Sequence, residues 1–209
     1  MRSHVGSSSS PIIAELSRQL ESWRLALPAS IKWLEEETLH PSSFATRNED
    51  GSQSVDSKEQ DISEFGARAQ ELMVATLRSR FYYARFMVHR PAIYKAMHSP
   101  QLMTNVDAGH CAIAMNSACM WPLLCGLSEG TKRLVPHLFT WTQNFVSILV
   151  ILATVRENET MRRICETSVD LSRVRTTTLL MASWLRDMAS LDGTAEWAVN
   201  ALPGLFESG

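Results

Sequence analysis

The residues best equipped for chemistry lie in the stretch 77–98, LRSRFYYARFMVHRPAIYKAMH. Arg78, Arg85 and His89 share one side of a helix there, with Arg80, Arg90 and Lys95 around them. Guanidinium groups hold phosphates and carboxylates in a two-pronged fork. Tyr82, Tyr83 and Tyr94 between them add the aromatic interleaving of a nucleic-acid surface. His89 adds a group that can carry a proton or ligate a metal. The same helix is, however, apolar over much of its circumference. A DNA reader presents a compact basic face and a recognisable motif, and Phe81, Tyr82, Tyr83, Phe86 and Met87 interrupt any such face. The arginine stems are therefore expected to pack on a bundle while their heads pair with carboxylates. No DNA-binding residue is assigned. Met73, Leu77, Phe81, Ala84 and Val88 form the expected buried stripe. Pro91 lacks an N–H and crowds the turn before it, which predicts a kink or break near Arg90, with Arg90 or His89 donating to the freed carbonyls.

No other stretch assembles a reaction centre. The sequence has no G-x-S-x-G, no glycine-rich phosphate loop and no H-E-x-x-H. His4, His40, His89, His98, His110 and His137 are scattered, and none forms an i, i+4 ligand pair. Cys111, Cys119, Cys125 and Cys165 have neither C-x-x-C pairing nor zinc spacing and read as small, reduced core residues. A non-enzymatic protein with no catalytic residue, no metal site and no cofactor is expected. A net charge of −2 and an isoelectric point near 6.3 exert no global pull on nucleic acid or anionic membrane. The apolar run 145–155 is too short to cross a bilayer, which takes roughly 20 residues, so no membrane partner is expected.

The elements that must position the basic helix are also helical. Ser10 and Pro11 are a favoured helix start. Ile13, Leu16, Leu20, Trp23 and Leu27 recur at helical spacing up to Pro28. From 35 to 64 the chain turns acidic and serine-rich, too poor in apolar residues to offset its ordering entropy, and reads as an exposed disordered insert. A third helix starts near Asn105, with Val106, His110, Ile113, Ser117, Met120, Leu124 and Leu127 on its stripe and Pro122 bending its end. The fourth places Leu134, Leu138, Trp141, Phe145, Ile148, Leu152 and Val155 at strict 4-3 spacing and is apolar all round, which predicts the central helix. A fifth is expected from Thr160 to Ala189, with Ile164, Leu171, Val174, Thr178, Met181, Leu185 and Met188 inward. A short helix near 195–202 precedes Pro203, with Trp197 and Phe206 expected to pack back on the bundle. The fold class is all-α, a bundle of five to six helices over 11–190, with a disordered 1–10 and a C-terminal tail 191–209.

The tract Tyr82-Tyr83-Ala84-Arg85, running into His89-Arg90-Pro91, resembles the regulatory middle-homology region of fungal binuclear zinc-cluster transcription factors. The tryptophan-bearing first helix leading through Leu27-Pro28 to Trp33 is similar to the same region. The resemblance spans about 15–188 and marks Tyr82, Tyr83, Arg85, His89, Arg90 and Pro91 as family-motif positions of structural or regulatory role. It implies an all-helical module that restrains or transmits activation and sometimes senses a small molecule. It covers only the C-terminal half of that module and lacks the six clustered cysteines that bind two zinc ions. Zinc, and direct DNA contact, therefore belong only to a missing N-terminal cluster. The resemblance implies a nuclear fragment or relative of a transcription-factor regulatory domain that touches DNA indirectly, through a protein partner, its missing half-domain or a homodimer. The competing expectations are a stand-alone helical accessory protein, nuclear or cytoplasmic, that binds a full-length regulator, and a small-molecule-binding helical protein of a metabolic pathway.

Overall fold

Three pairings define the centre of the molecule: Tyr83 with Trp121, His89 with His110, and Lys95 with Asp107. As one number rises the other falls, so the two helices carrying them run antiparallel. The computed structural model describes residues 9–33, 57–123 and 138–202. All regular structure among these is helical: α1 Ser9–Leu25, α2 Ser57–His98, α3 Asn105–Leu123, α4 Leu138–Thr154, α5 Glu159–Ser168, α6 Leu171–Met188 and α7 Gly193–Ala201. The all-α class expected from the patterning is the one observed. No described helix is long and apolar enough to cross a membrane.

The α2–α3 hairpin closes through a 3-10 turn, Pro100–Leu102. A reciprocal cap then starts α3. The Asp107 N–H donates to Thr104 Oγ1, and the Thr104 N–H returns a bond to Asp107 Oδ2. Lys95 reaches across from the last turn of α2 to the same carboxylate. Burial opposes ionisation of Asp107, but the bonds from Lys95 and Thr104 win and hold its pKa near about 2.

The inward stripes match those expected in part. In α1, Ile13 is buried and Ser17, Leu20 and Arg24 are half-buried, as is Leu27 just beyond it, whereas Leu16 and Trp23 lie on the exposed side. In α2 the most buried stripe is Tyr82, Phe86, His89, Ile93 and Ala96; of the expected one, Phe81 is buried, Leu77, Ala84 and Val88 are half-buried and Met73 is exposed. Each sequence offers two apolar stripes one residue apart, and the partner helix selects between them: α3 takes the Tyr82–Ala96 stripe, while Phe81 is left to meet Trp23 and Trp33.

Pro91 does not break α2, which is helical from Ser57 to His98. Both Pro91 and Met87, whose carbonyl loses its donor, are exposed, so water can meet the freed oxygen and the buried face is uninterrupted. The helix also begins inside the segment assigned to the acidic insert, and α1 begins at Ser9, within the expected disordered N-terminus. Residues 1–8, 34–56, 124–137 and 203–209, and with them Cys125, Leu134 and Phe206, lie outside the described residues.

The central helix is α3 rather than α4. It packs against α2, α4, α5 and α6. Cys111, Ala112, Ala114, Met115, Ala118 and Cys119 are buried on one broad face, and Ser117, Met120 and Trp121 extend the burial around its C-terminal half. Its small side chains let four neighbours approach, which a helix of large residues could not allow. On α4, Phe145, Ile148, Leu152 and Val155 are buried as the 4-3 spacing predicts.

The expected fifth helix is two helices. Val169 and Asp170 interrupt it, and Asp170 takes a positive φ of 85°. Its carboxylate accepts the Ser172 N–H at 2.8 Å and restarts the chain as α6. Asn158 caps α5 in the same manner, accepting from the Met161 N–H. Asp192 caps α7 through the Thr194 and Ala195 N–H groups, and Thr142 of α4 donates to its other oxygen at 3.3 Å.

Candidate functional site

The helical turn of α2 divides the six motif residues. Tyr82 and His89 face inward and are buried, Tyr83 and Arg85 flank them half-buried, and Arg90 and Pro91 face outward. The motif is thus not one surface. Tyr83 donates through its hydroxyl to Asn144 Oδ1 of α4 at 2.7 Å, which makes it a strut between helices, and burial raises its pKa.

Arg85 lies over the Phe81 ring, with its guanidinium carbon 5.9 Å from the centroid, and Arg24 of α1 lies over the same ring at 5.7 Å. Trp23 stacks on Phe81 at 6.4 Å, and Trp33 meets it edge-on at 5.8 Å. These guanidinium groups sit on an aromatic interior, the packing role that the apolar circumference of α2 predicts. The tryptophan helix and the Trp33 segment close one end of this cluster.

His89 does not supply donors to carbonyls freed by Pro91. Its Nδ1 lies 3.1 Å from Nδ1 of His110, and its Nε2 lies 3.3 Å from Ser17 Oγ. Only 1% of His89 is exposed. Burial, then the neighbouring His110 and Arg85, push its pKa down to about 4, so it is neutral at physiological pH. One of the two facing Nδ1 atoms carries a proton and the other accepts it. Neither Ser17 nor His110 was singled out by motif. The available signal was His110 as a polar member of an apolar stripe, which calls for a polar partner on the facing helix.

The order hydroxyl, imidazole, imidazole is also that of a nucleophile, a base and an orienting group. The surroundings do not extend it into a reaction centre. Ser17 is in the interior of α1, where neighbouring N–H groups are committed to the helix and none is free to hold an oxyanion. Neither described cavity is lined by Ser17, His89 or His110. The triad is a polar clasp that fixes α1 across the α2–α3 seam.

The larger cavity lies elsewhere, among the ends of α4 and α7 and the adjoining faces of α5 and α6, with a volume of about 800 Å³. Leu152, Val155, Leu171, Val174, Leu179 and Leu202 line it, with Arg156, Glu157, Arg162 and Arg175 among its polar residues. Leu152 and Ala153, near the C-terminal end of α4, are its contribution to this wall. A smaller cavity of about 230 Å³ lies between α2 and α3, with Tyr82, Arg85, Asn116, Ser117 and Arg173 on its walls. Two motif residues, Tyr82 and Arg85, border it.

Cys111, Cys119 and Cys165 are buried and free. Burial pushes their thiols up to about 12, 12 and 11 respectively. Among the described residues no three His, Cys, Asp or Glu side chains gather as a metal cage. No protein-family model matches the chain, and neither a curated protein nor a solved structure matches it.

Proposed function

We propose that this chain is a non-enzymatic helical regulatory module of the transcription-factor type, acting in the nucleus through protein contacts and reaching DNA only indirectly. The observation that carries this reading is the inward turn of the Tyr/Arg/His helix. Tyr82, Phe86 and His89 are interior, and Arg85 is spread over Phe81. A helix used as the spine of a bundle transmits a change of packing to its neighbours, and its basic groups are not arrayed as a phosphate-reading face. The resemblance of Tyr82, Tyr83, Arg85, His89, Arg90 and Pro91 to zinc-cluster regulatory regions supports the same reading. Tethering the chain to a heterologous DNA-binding domain and measuring a reporter tests it. A severalfold change in transcription is expected, and an unchanged reporter would count against it.

A second reading, a helical accessory protein that docks on a full-length regulator, draws on the outer side of α1. Ile12, Leu16 and Trp23 are exposed there by 60%, 43% and 41%. Apolar side chains grouped on one helix in this way are characteristic of contact surfaces. Leu16→Glu with Ile12→Glu would abolish capture of such a regulator while leaving the fold intact.

A further inference from the structure

We propose that the cavity among α4, α5, α6 and α7 binds a free amphipathic carboxylate, an acid with one anionic head and an apolar body. The depth of the lining residues gives the site a direction. Leu152, Val155 and Val174 are exposed by only 1%, 3% and 4%, so they form its floor. Leu179 is 41% exposed, and Arg156, Glu157, Arg162 and Arg175 are all exposed, so they form its mouth, three cations with one carboxylate. A volume of about 800 Å³ is in the range of cavities that enclose whole small molecules, roughly 300–1,000 Å³. A ligand entering with its apolar end first exchanges water against leucine and valine for contact with them, and leaves its polar end at the charged mouth.

The mouth selects the head. Arg162 is already ion-paired with Glu159 and Glu166. Arg175 has no acidic partner among the described residues, and it stands one helical turn from Leu171 on one side and Leu179 on the other. That places one guanidinium fork beside the apolar track of α6, which matches a single carboxylate. The Thr178 hydroxyl is committed to the Val174 carbonyl at 2.7 Å, so its proton is not offered to a ligand. The head-group contact is therefore assigned to Arg175, while Glu157 at the same lip stands beside Arg156. The assignment deepens the regulatory reading by naming an effector class. Its test has no transcriptional readout, so failure of binding would remove the effector and leave the reporter result standing.

The test is calorimetric titration of the purified full chain with decanoate below its micellar concentration, alongside decanol, acetate, and vesicles of neutral or anionic phospholipid. Decanoate should bind saturably, decanol roughly tenfold more weakly because it lacks the charge-assisted contact, and acetate not measurably. Arg175→Glu, an exposed change that leaves the melting temperature in place, should weaken decanoate roughly tenfold or more and leave decanol unaltered. Thr178→Phe, which fills the cavity, should weaken both. Equal affinity for decanol and decanoate, no effect of Arg175→Glu, or binding to anionic vesicles without binding to decanoate would each overturn the proposal.

Discussion

His89 Nδ1 faces His110 Nδ1 at 3.1 Å across the seam between α2 and α3, with Ser17 on the opposite side of the His89 ring. One proton lies between the two facing nitrogens while both rings are neutral, and burial is what opposes a second proton on His89. With the folded pKa of His89 near about 4 and the ordinary value at 6.5, the unfolded chain takes up a proton first as pH falls. Above about pH 6.5 both states are neutral and the group is silent. Between that pH and about 4 the folded state loses stability, on the order of 3 kcal/mol in all, and below about 4 the loss levels off. Urea unfolding at several pH values would register the slope. His89→Gln should flatten it, and an unchanged slope in that variant would sink the assignment.

Phe81 anchors the contact between α1, Trp33 and α2, with two rings and two guanidinium groups around it. Phe81→Ala should cost about 3–5 kcal/mol, the range for emptying a buried aromatic site. It should also shift the fluorescence of Trp23 and Trp33 toward that of wetter surroundings. Arg85→Ala, which removes one cation from the ring, should cost about 1 kcal/mol. A loss from Arg85→Ala as large as that from Phe81→Ala would mean the arginine carries a second role.

The three described cysteines should be inert in the native protein. Burial keeps them protonated, and a thiol reagent attacks the thiolate. Mass mapping after brief exposure to such a reagent should find Cys111, Cys119 and Cys165 unmodified until denaturant is added. Rapid native labelling of any of them would contradict the packing of α3 against α5 and α6.

Asp192 joins two elements with one carboxylate, capping α7 and accepting from Thr142 of α4. Asp192→Ala should therefore destabilise the domain by about 1–2 kcal/mol, at the upper end for a lost cap. Asp192→Asn, which keeps both acceptor geometries in part, should cost less than half of that. Equal losses from the two variants would show that charge rather than capping geometry dominates.

The helices themselves were legible because their apolar periodicity is long and their ends carry recognisable stops. α4 shows this best, since Phe145, Ile148, Leu152 and Val155 are buried at the spacing the sequence displays. Which stripe turned inward was less legible. Leu16 and Trp23 compete with Ser17 and Arg24 on α1, and a polar residue is chosen for burial only when its partners, here His89 and the Phe81 ring, are known. The break at Asp170 was hidden for a related reason. Ile164, Leu171 and Val174 keep helical spacing across it, while the interruption is carried by one backbone angle and one cap. The cavity was not legible at all, because its walls come from four helices whose arrangement no local pattern contains.

The most direct measurement of the central claim compares reporter transcription for the tethered wild-type chain and for tethered Phe86→Asp, a variant that places a charge in the spine beneath the Tyr/Arg/His motif. Phe86 is exposed by only 1%, so the substitution should unseat α2 from α3. The account predicts a severalfold change in reporter output with the wild-type chain and its loss with the variant at equal protein level. Identical reporter output from wild type, variant and the DNA-binding domain alone would contradict it.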